Sequence, residues 1–464
     1  MPKISSEIAA SIAESVAKGF DDQLAYTQLL IRTGGQRGQE FEVQSLVYDQ
    51  FSERGYNPVK LEMDEKLLSQ HEGAGRFSAE HSKAPIVVGV HEPKFQAKDG
   101  KSLILNAHID VVPTGPIDLW TRDPYSGDIE GDRLYGRGGA DMRAGSAANL
   151  FALDALRRIG MQPASKVILE SVVEEESTGN GTLLTHLKGY RADAVIIPEP
   201  MDEKLVRANT GVLWFQIEVK GIPVHVRDMS TGTNAIDACW RVVGGLRELE
   251  KEWNENKVGR LHFENENHPL NLNVAKVNAG DWASSVPAWC RIDFRIAIFP
   301  GVSAKAAAEE IEAKVKKVAC NDAFLSKNAP TVTWNGFFSE GYVLEPNSEA
   351  EKTLQWAHQQ ATGDELQSFT TAAYLDTRIH SLYDKIPALC YGPISSNIHG
   401  FDEWLSGAGW SRLNEQAPLP VFVQRIMLLS HRENGIPYFS LRKYRLVEAI
   451  GKNFSAGFEI NATS

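Results

Sequence analysis

The sequence predicts an α/β protein: a mostly parallel sheet flanked by helices, interrupted by a compact ferredoxin-like module. Three observations carry this expectation. At 464 residues with 42% hydrophobic content, the chain exceeds one ordinary core. Short apolar runs separated by helical patterns fill the first 210 residues, as expected of strands joined by crossover helices. After Asn209-Thr210-Gly211 the rhythm changes to β-α-β-β-α-β, and α/β character returns after Asn335.

In chain order, residues 22–32 and 40–54 carry helical periodicity, and apolar runs at 86–90, 103–106, 166–173 and 194–197 read as strands. The stretch 144–159 fits a crossover helix. Within the inserted module, 213–220 alternates like a half-buried strand, 234–253 is a long helical pattern, and 271–277 and 288–298 are strands. An Ala/Glu/Lys helix over 303–318 opens on Ser303 as N-cap, and 331–334 is the last strand. A helix near 348–361, an apolar run at 388–391 and two closing helical segments complete the chain. The expected domains are therefore 1–210 with 333–464, and 211–332, with a cleft between them.

Bulk properties exclude several function classes. A formal charge of -12 argues against a nucleic-acid partner, which would need clustered Lys and Arg, and gives no reason for docking on an anionic membrane. No run approaches the ~20 apolar residues needed to span a bilayer, and residues 1–20 lack a signal-peptide core, so the cytoplasm is the expected location. Cys239, Cys290, Cys320 and Cys390 show no C-x-x-C spacing and read as buried thiols.

Chemistry-bearing residues recur just past the strands. The 103–106 run continues into His108-Ile109-Asp110, where Asp110 can accept from one imidazole nitrogen while the other binds a metal. The turn Gly136-Arg137-Gly138-Gly139-Ala140-Asp141 would deliver the Asp141 carboxylate into a site. A dinucleotide reading fails because a carboxylate stands where pyrophosphate would lie. Glu174-Glu175-Glu176 at a strand end repel one another unless divalent cations are present; one could ligate while its neighbour takes a proton from water. Glu199 sits between Pro198 and Pro200 after another strand, and His399 follows Tyr391-Gly392-Pro393. Read singly, each is an ordinary loop residue or helix cap. Together they are two histidines and several carboxylates at strand ends of one sheet, a donor set that suits zinc, cobalt or manganese better than magnesium or calcium. If Asp141 bridges two divalent ions, Glu176 and Glu199 take one each and a hydroxide lies between them, the charges balance.

These motifs resemble the co-catalytic zinc peptidases and deacylases, among them acetylornithine deacetylase, succinyl-diaminopimelate desuccinylase, glutamate carboxypeptidase and the aminoacylases. The resemblance covers about 23–405 and rests on five separated motifs in the family's order. It implies a zinc-peptidase-like catalytic domain with a βαββαβ lid that also forms a homodimer contact. It implies two zinc ions, held by His108, Asp141 and Glu199 and by Asp141, Glu176 and His399, with Asp110 orienting His108 and Glu175 as general base. It further implies that His225, in Gly221-Ile222-Pro223-Val224-His225, reaches the partner's site to stabilise an oxyanion, and that Arg295 pairs with a substrate carboxylate. Two departures stand out. Ser284 replaces a common Asn, and Thr371-Ala372-Ala373-Tyr374-Leu375 replaces a Gly-Gly-Thr-like run, so substrate recognition there is not carried over.

The expected function is amide hydrolysis of an N-acyl amino acid or related small carboxylate-bearing substrate. The rivals are a dipeptidase or carboxypeptidase using the same chemistry, and a metal-free binding or scaffold protein that kept the fold. A serine hydrolase is disfavoured because no Gly-x-Ser-x-Gly elbow is present.

Overall fold

The protein is described here from a computed structural model that covers residues 6–93 and 100–407. The two closing helical segments, and the last part of the domain expected to end at 464, lie outside the described residues.

The larger sheet has six strands in the order Val59–Leu61, Ile86–His91, Val167–Val172, Leu103–His108, Ala194–Ile197, Ala388–Cys390. The last four pair in parallel, whereas Ile86–His91 and Val59–Leu61 run antiparallel at one side. Every residue of Leu103–His108 and Val167–Val172 is buried, as expected of central strands covered on both faces. The covering is helical. Phe20–Thr33, Phe41–Glu53, Ala144–Arg158 and Asn180–Leu187 contribute Leu30, Val47, Leu150 and Leu183 to the same apolar core as Ile104 and Leu169. A further helix, Ser6–Lys18, packs Ile12 and Val16 against it, and Ser15 Oγ donates to Ala155 O at 2.7 Å.

The inserted segment forms Gly211–Lys220, Ala235–Glu255, Leu272–Ala279, Trp289–Ile298, Ala304–Cys320 and Thr331–Ser339, in the expected β-α-β-β-α-β order. Its sheet is antiparallel throughout, with Trp289–Ile298 and Gly211–Lys220 central. Alternation along those strands sends Phe215, Ile217, Ile292 and Phe294 to the helix side, where they join Val242, Leu246 and Ile311. Trp214, Gln216, Asp293 and Arg295 fall on the opposite face. Both helices begin on side-chain caps: Asn234 accepts from Ile236 N, and Ser303 accepts from Ala306 N.

The final strand is longer than periodicity suggests. It continues to Ser339 through a register shift between Trp334 and Phe338, because the irregular residues 335–337 break the alternation that marks a strand in sequence. Leu205–Asn209 and Tyr342–Val343 pair antiparallel just outside the module, so the two chain crossings run side by side. Gly336, in that final strand, lies against the segment that follows Val167–Val172: a Cβ on it would be 3.1 Å from Ser177 O.

Candidate metal centre and active site

The candidate metal-binding groups are brought together by strand ends and by turns that only particular residues tolerate. His108 closes its strand at 1% exposure, its Nδ1 lying 3.0 Å from the backbone oxygen of Asp110 and 3.6 Å from the Asp110 carboxylate. The hydrogen bond expected of that carboxylate is thus made by the main chain. The carboxylate itself accepts from the backbone amides of Glu175 (3.4 Å) and Glu176 (3.2 Å), fixing the glutamate loop against the histidine strand.

Asp141 follows Gly138, whose φ of 75° is left-handed and whose Cβ, if present, would meet Val111 at 2.2 Å. It does not cap the following helix. Its backbone is non-helical and its peptide bond to Met142 is cis. The turn is held by Glu403, which the sequence reading gave no role. Glu403 Oε1 accepts from Ala140 N (3.1 Å) and Asp141 N (3.2 Å), while Oε2 accepts from Arg137 at 2.6 Å. Its sequence signal was proximity to His399 alone.

The three adjacent glutamates diverge. Glu174, with φ 64°, points away from the cleft: its carboxylate accepts from Thr178 Oγ1 at 2.7 Å and from Ser82, and its carbonyl accepts from Gly179 N at 2.8 Å. Glu175 and Glu176 are left facing inward. Glu199 is aimed by a close packing contact, since a Cβ on Gly145 would lie 2.3 Å from Pro198 O.

The resulting geometry forms two donor groups that share one carboxylate. His108, Asp141 and Glu199 offer atoms all within 4.8 Å of one another, and so do Asp141, Glu176 and His399. His108 Nε2 is 3.1 Å from Asp141 Oδ1 and 3.7 Å from Glu199, while His399 Nε2 is 3.1 Å from Glu176 and 3.3 Å from Asp141 Oδ2. Ligands at tetrahedral zinc distances stand about 3.4 Å apart, so these edges fit the ion.

Electrostatics point the same way. Burial pushes Glu175 and Glu199 well above the ordinary carboxylate range, and their acidic neighbours add to it; Glu176 is raised by burial and by Asp141. His399 is raised to about 11, chiefly by Glu176. For His108, burial opposes protonation, but Glu199, Asp110 and Asp141 outweigh it and raise the pKa. Asp141 is lowered: burial acts against ionisation, and the two imidazoles more than offset it. Glu199 Oε1 is buried with no hydrogen-bond partner among the described residues. A nest of desolvated acids with an orphaned oxygen and mixed N/O donors fits divalent transition-metal ions.

Two expected site residues lie outside these groups. His225 is exposed and accepts from Arg227 N at 3.1 Å. Arg295 donates to Ala372 O, at the loop that departs from the resembled pattern. In that loop Tyr374 stacks on Phe337 (4.2 Å between centroids) and donates to buried Asp376 at 2.9 Å. Asp376 also accepts from Thr182 at 2.6 Å.

The sequence pattern described as Peptidase family M20/M25/M40 matches residues 104–415. An N-formyl-4-amino-5-aminomethyl-2-methylpyrimidine deformylase of Bacillus subtilis (strain 168) is 28% identical over 347 residues, covering 69% of this chain and 79% of the relative. A succinyl-diaminopimelate desuccinylase of Cupriavidus taiwanensis is 28% identical over 326 residues, covering 66% and 78%. The solved structure of the di-peptidase Dug1p from Saccharomyces cerevisiae superposes with a TM-score of 0.71 at 14% identity, covering 91% of this chain and 99% of that one, a likeness of fold.

Proposed function

Because this chain belongs to peptidase family M20/M25/M40, we propose that it is a metal-dependent amidohydrolase that removes the acyl group from an N-acyl amino acid or related small amide. The observation that carries this reading is the pair of donor groups sharing Asp141, with Glu175 buried beside them.

His108, Asp141 and Glu199 would hold one cation, and Asp141, Glu176 and His399 the other; zinc suits this donor set, with cobalt or manganese as substitutes. When bound, the ions supply Lewis acidity to the scissile carbonyl and to water. Glu175 receives a proton from the attacking water as the C–O bond forms, and passes it to the departing nitrogen as the C–N bond breaks. Burial raises its pKa, the direction that suits a carboxylate acting as a proton acceptor. Asp110 keeps Glu175 in place through the backbone. Arg295 pairs with a substrate carboxylate.

We further assign 211–332, extended by its last strand to Ser339, as a lid, with 1–210 and the remainder as the catalytic domain. The lid also makes a homodimer contact, through which His225 stabilises the oxyanion in the partner's site. Exposed Ile222, Met229, Trp240 and Trp282 on the lid support a covered face. No helix among the described residues is long and apolar enough to cross a membrane, and a cytoplasmic site of action fits the reading.

Replacing Glu175 with Ala should abolish turnover while two metal ions per chain remain by elemental analysis; retained turnover removes Glu175 as the base. The dipeptidase or carboxypeptidase reading is favoured by the fold likeness to a di-peptidase. A panel of N-acetyl, N-formyl and N-succinyl amino acids set against dipeptides separates the two. A metal-free scaffold predicts no bound transition metal in protein purified without chelator.

A further inference from the structure

The two faces of the inserted sheet meet different surroundings. A Cβ on Gly336 would lie 2.4 Å from the Trp214 ring and 3.1 Å from Ser177 O, so the face that carries Trp214 is turned to the glutamate loop. The opposite face, with Ile292, Phe294, Ile296 and Ile298, packs on Ala235–Glu255 and Ala304–Cys320. On this helix side a pocket of about 160 Å³ opens between the end of the first helix, the end of Trp289–Ile298 and the start of the second helix. None of its lining residues belongs to the two donor groups.

The gap follows from side-chain size. Trp253 reaches from one helix to donate Nε1 to Glu310 Oε2 on the other at 2.7 Å, while Ala307, one turn before Glu310, is too short to close the space between them. Leu270, Ile298 and Phe299 supply buried apolar wall, and Phe299 is fixed edge-on by Phe263 at 5.7 Å between centroids. Half-buried Arg260 brings a charge to this apolar lining. Its guanidinium stands 5.4 Å from the Phe299 centroid and has neither ion pair nor hydrogen bond among the described residues. Exposed Asn256, also in the lining, offers a second donor. The acidic residue of the lining, Glu310, already has Oε2 engaged by Trp253.

We propose that this pocket is a second ligand site, which binds a small aromatic carboxylate with its ring against Phe299 and Trp253 and its carboxylate on Arg260. Size selects a single ring: an apolar cavity of ~150 Å³ accepts benzene, whereas drug-sized ligands occupy roughly 300 Å³ or more. Charge selects the anion, because the guanidinium fork matches a carboxylate with two parallel hydrogen bonds and no acidic side chain neutralises it here. Two aromatic walls select a flat ring over a branched aliphatic group, through offset or edge-on packing. The site stands apart from the amidohydrolase reading, since it uses none of the donor groups and lies on the other side of the inserted sheet.

The test measures calorimetric binding of benzoate and of benzamide, which keeps the ring and loses the charge, to the metal-loaded full chain. Benzoate should bind about tenfold to a hundredfold more tightly, as for a charged hydrogen bond. Arg260→Met keeps an apolar stem of similar length and should weaken benzoate to the level of benzamide. Val302→Phe places a ring in the half-buried part of the lining and should remove binding of both. Melting temperature and metal content report whether each variant is folded; if Val302→Phe is not, Arg260→Met decides alone. A carboxylate can also reach the metal ions or Arg295, so benzoate affinity that stays at the wild-type value in folded Arg260→Met places it there and overturns the proposal. Absence of saturable benzoate binding, or equal affinity for benzoate and benzamide in the wild type, overturns it as well.

Discussion

Removing the Glu403 carboxylate should loosen Asp141, the carboxylate common to both donor groups, without touching it. In Glu403→Ala the backbone amides of Ala140 and Asp141 lose their acceptor, and Arg137, 1% exposed, loses its ionic partner at 2.6 Å. Among the described residues the Arg137 guanidinium then keeps only Gly400 O at 2.9 Å and the face of Trp120. Breaking a buried ion pair from one side costs about 3–5 kcal/mol, and each buried amide left bare costs about 1–3 kcal/mol, with relaxation of the turn returning part of the sum. The turn relaxes by moving Asp141, which serves both donor groups. Metal affinity should therefore fall about 10- to 100-fold, the usual effect of losing a group that orients a ligand. Glu403→Gln retains one acceptor oxygen for the amides but faces Arg137 without charge, and should lie between the two. Competition with a chromophoric chelator gives the zinc affinity, and elemental analysis gives the stoichiometry. Wild-type affinity for both ions in Glu403→Ala would refute the argument that Glu403 sets the position of Asp141.

Two further perturbations follow from the packing. Glu40 is buried behind the site with its pKa raised to about 8, by burial first and by the Asp110 charge second. Its folded value exceeds the unfolded one, so the folded chain holds a proton that the unfolded chain releases; stability is lost as pH rises from about 4.5 towards 8. Glu40→Gln should flatten that fall in a series of thermal melts, and an unchanged pH profile counts against the assignment. Gly145→Ala introduces no backbone strain, yet its methyl would lie 2.3 Å from Pro198 O and displace the segment bearing Glu199. A loss of about 1–3 kcal/mol together with weakened binding of one metal ion is expected; a variant with wild-type metal content and melting temperature contradicts it.

The convergence of candidate ligands was legible where a residue follows an apolar run whose period identifies a strand, since strand ends in an α/β sheet converge on one edge. His108, Glu176 and Glu199 could be placed in this way. The Ser6–Lys18 helix was not expected from the sequence, although Ile8, Ile12 and Val16 recur at helical spacing. The roles of Glu174 and Glu403 were not legible. Both act through backbone groups and through residues far away in sequence, Ser82 for one and Arg137 for the other. The carboxylate of Asp110 was expected on His108, and it serves the amides of Glu175 and Glu176.

By itself the sequence determined the residue types of two donor groups that could hold metal ions, the sheet that displays them and the βαββαβ order of the inserted segment, because these depend on local period and on which side chains can ligate. Only the tertiary structure decided which glutamates turn inward, which buried acid steadies Asp141, and which residues of the inserted segment lie against the glutamate loop. Those choices depend on hydrogen bonds closed between segments tens to hundreds of residues apart, and no local pattern records them.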